Sequence, residues 1–80
     1  MKEKIKEILV KYGETYRIGG LDESLTLKEN GFDSIDALAA IYEVELALRI
    51  IVPDNIIGQV QAESLTLEEL VELINNNHKK

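Results

Sequence analysis

The chain has 80 residues and no cysteine, with 9 Lys and Arg against 15 Asp and Glu, a net charge of −6. That length gives a single domain, and the missing thiol excludes disulfides, thiolate nucleophiles and thiolate metal ligands. The acidity disfavours nucleic acid and anionic membrane and suits either plain solubility or a partner with a basic patch.

In chain order, KEKIKEILVKY comes first, with Ile5, Ile8, Leu9 and Tyr12 at i, i+3, i+4 and i+7. This spacing predicts an amphipathic helix, supported by a Glu7–Lys11 pair and stopped near Gly13. The segment lacks the apolar run of a signal peptide, and no stretch is long enough to span a membrane, so a cytoplasmic protein is expected. A long connection, Glu14 to Asp33, follows, broken by Gly19-Gly20 and Gly31. Connections of this length in small domains are often functional.

The pentapeptide ESLTL occurs twice, at Glu23–Leu27 and Glu63–Leu67. Each copy leads into a capping box, Thr26 with Glu29 and Thr66 with Glu69, in which the Thr hydroxyl and the Glu carboxylate satisfy each other's backbone amides. The first copy supports only a turn, because Asn30-Gly31 follows; the second starts the last helix, in which Leu67, Leu70, Val71 and Ile74 share a face. Pro53 ends the segment after Ile50-Ile51-Val52, and Asn55 to Val60 is expected as a short helix weakened by Gly58. Residues 75–80 are expected to fray, taking the only histidine, His78, with them.

Between the two copies lies GFDSIDALAAIYEVELALRI, Gly31 to Ile50. At about 100° per residue, Ala37, Ala40, Ile41, Val44 and Leu48 gather on one side of a helix, and Ile35, Leu38, Tyr42 and Leu46 on another. Asp36 and Glu43 project elsewhere, and Glu45 falls between the stripes. The expected core is Ile5, Ile8, Leu9, Ala37, Ile41, Val44, Leu48, Leu70, Val71 and Ile74. A core of three helices needs one of the two stripes. The second is either buried by further neighbours or exposed as a surface for other proteins. Ser34 stands at the start of this helix. Either it caps the helix or Asp33 caps, with Asp36 closing a box and Ser34 left free. A free hydroxyl there is a suitable carrier for a phosphate ester, since a helix start stabilises phosphate. Ser34 is a poor nucleophile, having no base in view, and no catalytic or metal-binding residue is expected.

GFDSID, the helix after it, and Ile51-Val52-Pro53-Asp54 resemble the acyl carrier proteins, with the serine-to-proline spacing ungapped and the first and last helices similar over essentially the whole chain. The resemblance implies an all-α, acyl-carrier-like bundle of three main helices plus one short one. It implies a 4′-phosphopantetheine arm on Ser34, presented by Asp33 and installed from coenzyme A by a phosphopantetheinyl transferase. The arm's thiol would hold an acyl chain for acyl-loading and acyl-transfer enzymes of a fatty-acid, polyketide or other specialised pathway. The protein would be a monomeric, non-enzymatic carrier with a partner face of Ile35, Asp36, Leu38, Tyr42, Glu45 and Leu46. Asn30 before the glycine, Ala39, Leu46 and Asn55–Gly58 depart from the family's pattern and point to a specialised member. An aminoacyl or peptidyl carrier and an unmodified helical adaptor are the alternatives.

Overall fold

The apolar spacing of the first residues produces α1 (Lys2–Thr15), which buries Ile5, Leu9 and Tyr12. It is followed by α2 (Ser34–Leu48), α3 (Asp54–Gln61) and α4 (Leu67–Asn77) in a computed structural model that describes residues 1–16, 18 and 21–79. The result is a small all-helical bundle: among the described residues there are isolated bridges but no strand. α1 packs on α2 and α4, and α3 packs on the same two helices. No helix of the described residues is long and apolar enough to cross a membrane.

α1 runs through Gly13, which is buried inside the helix rather than ending it. The Gly19-Gly20 break lies outside the described residues. Of the charges on α1, Lys6 pairs with Glu23 at 2.7 Å and Lys2 with Glu72, tying the helix to the connection and to α4. Both pairs are half-exposed and screened by solvent, so they orient the helix more than they stabilise it.

The two ESLTL copies form an antiparallel bridge at Thr26 and Thr66. The Leu67 amide donates to the Leu25 carbonyl and the Glu68 amide to the Glu23 carbonyl. Both capping boxes close as expected, the first supporting a turn and the second starting α4. The repeat thus places Leu27 and Leu67 together in the core. Asn30 laces the first copy, its amide donating to the carbonyls of Asp22 and Thr26 and its Oδ1 accepting from the Asp22 amide.

The core is larger than helical periodicity predicts. Ile5, Leu9, Ala37, Ile41, Val44, Leu70, Val71 and Ile74 are buried as expected, while Ile8 and Leu48 are half-buried against its edge. Leu27, Phe32, Ala40, Ile50, Val52, Ile56, Val60 and Leu67 join it. α2 ends at Arg49, whose backbone turns left-handed at φ 55°. The extended residues after it alternate: Ile50 and Val52 are buried and Ile51 faces out. α3 runs through Gly58 as a continuous helix.

The end of the described chain departs from the expected fraying. Asn75, Asn76 and Asn77 are helical, and the His78 amide donates to the Ile74 carbonyl at 3.1 Å. Lys79 pairs with Ile51 through two backbone hydrogen bonds. The Ile50–Val52 segment supplies the edge that holds it.

Candidate functional site

The site begins at a turn that only glycine makes without strain. Gly31 has φ +103°, and a side chain there would stand 3.1 Å from Ile18 Cγ2. The next residue, Phe32, is driven into the core against the Tyr12 ring, with centroids 5.7 Å apart. This anchor returns the chain to the surface at Asp33, where α2 starts.

Asp33, not Ser34, caps the helix. Its carboxylate accepts from the Asp36 amide at 2.7 Å, and the Asp36 carboxylate accepts from the Asp33 amide at 3.2 Å. The box is therefore closed without Ser34, which becomes the first helical residue. Ser34 is exposed, and its hydroxyl makes no hydrogen bond among the described residues. The Ser34 and Ile35 amides, at the start of the helix, also have no partner among the described residues, as expected of first-turn donors. An exposed hydroxyl beside two unpaired amides and the positive end of a helix is a fitting attachment point for a phosphate ester.

The proposed partner face divides. Ile35 is 77% exposed, Tyr42 58%, Leu46 56% and Leu38 37%. These four form the outward stripe of α2, opposite Ala37, Ala40, Ile41 and Val44. Asp36 and Glu45 have structural partners instead. Asp36 Oδ1 accepts from the Tyr12 hydroxyl at 3.4 Å, besides closing the cap. Burial, and secondarily the Asp36 charge, push the Tyr12 hydroxyl's pKa above its ordinary value. Glu45 Oε2 accepts from the Val52 amide at 2.9 Å and so fixes the turn into α3. This contact joins the last turns of the helix to a residue beyond its end, seven positions on, and has no local sequence signature. The outward stripe is consequently more apolar than the sequence suggests.

A cleft of about 130 Å³ opens beside Ser34. The buried residues Leu27, Phe32, Ala37, Val60 and Leu70 make its floor, and Asp33, Ser34, Lys28, Gln61 and Glu63, all exposed, stand at its mouth. Sequence reasoning missed its loop wall because the apolar residues there follow no helical period, and its α3 wall because a short helix expected to be weak gave no sign of packing on the core. Among the described residues no cluster of His, Asp or Glu could hold a metal ion. No family model, curated protein or solved structure matches the chain.

Proposed function

We propose that the protein is an acyl carrier that bears a 4′-phosphopantetheine arm on Ser34. The observation that carries this reading is the closed Asp33–Asp36 box, which leaves the Ser34 hydroxyl exposed and unbonded at the first turn of α2. A serine needed for capping would be held in a hydrogen bond; this one is free to be esterified. When attached, the arm supplies the thiol that carries an acyl group as a thioester, which the cysteine-free chain does not provide.

The chain's own residues position and shield. Gly31 and Phe32 fix the turn, Asp33 orients the helix start, and the Ser34 and Ile35 amides would be available to the phosphate. The apolar floor of the adjacent cleft suits an aliphatic chain. Ile35, Leu38, Tyr42 and Leu46 meet the phosphopantetheinyl transferase and the acyl-loading and acyl-transfer enzymes that approach from the Ser34 side. With Asp36 and Glu45 held internally, these contacts are mainly apolar, which favours dedicated partners of a specialised pathway.

The test is to incubate the protein with coenzyme A and a broad-specificity transferase, weigh it, and map the adduct. A mass gain of one arm at Ser34, absent in Ser34→Ala, is expected. An unmodified mass, or an arm on Ser24 or Ser64, overturns the proposal and leaves a helical adaptor. Charging the thiol with acyl rather than aminoacyl groups separates the acyl from the peptidyl carriers.

A further inference from the structure

The cleft beside Ser34 is crossed by an ion pair. Lys28, on the turn of the first ESLTL copy, and Glu63, at the start of the second, both line the cleft, and their charged groups meet at 3.2 Å. Their side chains are 67% and 46% exposed, so the pair lies at the solvent end of the cleft, above the apolar floor. The two residues belong to different connections, one before α2 and one after α3. Glu63 is held in the left-handed region at φ 59°, and the Ser64 amide and hydroxyl donate to the Gln59 carbonyl, so its backbone is fixed. The long Lys28 side chain is the movable half.

We infer that the Lys28–Glu63 pair is a latch controlling entry of a short apolar chain into the cleft. The inference rests on the carrier reading for the source of that chain, which would arrive from Ser34 at the same mouth. The occupant's size follows from the volume. An engineered apolar cavity of about 150 Å³ accepts benzene, so 130 Å³ suits about six carbons or fewer. The floor is mainly apolar, with Thr26 the one half-buried polar side chain lining it, which disfavours a charged tail. An incoming chain must part the two charges, and because exposed ion pairs are weak and screened by salt the latch opens readily.

The experiment has two arms. In the first, the unmodified protein is titrated with benzene and followed by methyl NMR, with thermal melts to show that each variant is folded. Shifts confined to Leu27, Ala37, Val60, Leu65 and Leu70 are expected. Benzene should bind about 1.5- to 5-fold more tightly to Lys28→Ala and Glu63→Gln than to the wild type at low salt, the range implied by the weakness of exposed pairs. The exchanged pair, Lys28→Glu with Glu63→Lys, should return to the wild-type affinity. Shifts spread over the whole chain, or equal affinity in the wild type and both single variants, overturn the latch. In the second arm, hexanoyl and decanoyl forms are prepared and melted beside the thiol form. The hexanoyl form should show the larger rise, and more so in Lys28→Ala; an equal or larger rise for decanoyl overturns the size limit. Failure to attach any arm would sink the carrier reading, while the benzene titration would still decide the latch.

Discussion

Two stripes of α2 have similar apolar character and opposite surroundings. Ala37, Ala40, Ile41 and Val44 are packed against the bundle, whereas Ile35, Leu38, Tyr42 and Leu46 face outward over the length of the same helix. The buried stripe is explained by folding: it contributes roughly 25 cal/mol per Å² of apolar area removed from water. The outward stripe gains less in the isolated chain, because most of Ile35 and more than half of Tyr42 and Leu46 stay exposed, and a polar stripe would serve solubility better. Its composition is what the proposed partner face requires. The end of the helix that the outward stripe shares with Ser34 is also where the cap has been assigned to Asp33, so that face is free of structural duty twice over.

The largest effect is expected in the buried stripe. Ile41→Ala should cost about 2–5 kcal/mol, the range for large-to-small core changes, measured by urea unfolding. A loss below 1 kcal/mol would mean that the two stripes are not so different. At the helix start the contrast is between neighbours. Asp33→Ala should cost about 1 kcal/mol as a lost cap, and Ser34→Ala should stay within about 0.5 kcal/mol, as for surface changes. Equal losses would return Ser34 to a capping role.

A pH titration sharpens the buried side further. The Tyr12 hydroxyl, behind α2, has its pKa raised by burial and by Asp36. Its neutral form is thus favoured in the folded state. The stability this confers is fully present below the ordinary tyrosine pKa of 10.0 and is lost as pH rises through the higher folded value. Tyr12→Phe should lose less stability than the wild type in melts above pH 10; parallel curves would remove Tyr12 from the account. The smallest change is expected on the outward side. Tyr42→Ala and Leu46→Glu should each shift stability by no more than about 0.5 kcal/mol, yet weaken capture by the transferase, measured by the rate of arm attachment across a salt series. A melt far below the wild type would make the stripe part of the core. Normal attachment in both variants, with the wild-type rate collapsing in salt, would make recognition electrostatic.

The residues legible in the sequence were those that repeat. Ile5, Leu9, Leu70 and Ile74 announce their helices by spacing, and Thr26–Glu29 and Thr66–Glu69 announce their caps by local chemistry. The buried stripe of α2 was equally readable, but periodicity could not say that the second stripe stays outside, because that depends on how many neighbours the helix has. Phe32, Ile50 and Val52 were missed as core because they lie in connections, where burial is set by distant elements. Asp36 is legible as a closing residue of the Asp33 box, but its bond from Tyr12 and that of Glu45 from the Val52 amide are not, because neither partner lies on the same helix. Residues 75–79 read as a frayed end because the Ile51–Lys79 pairing joins segments that carry no mutual signal. Ser34 was legible as a candidate, and its freedom from capping required the Asp33–Asp36 geometry.

The pairing of the two ESLTL copies also bears on how the molecule opens. The amides at the start of a helix ordinarily have no partner within it and exchange with water at the first local fluctuation. Here the Leu67 and Glu68 amides, at the start of α4, are bonded to carbonyls of the connection before α2. Separating them means undoing a closure that encloses both α2 and α3. These two hydrogens should therefore exchange with deuterium on the slow timescale of whole-molecule unfolding, while the unpaired Ser34 and Ile35 amides exchange at once: of these two helix starts, the firmer is the one that does not carry the proposed attachment serine.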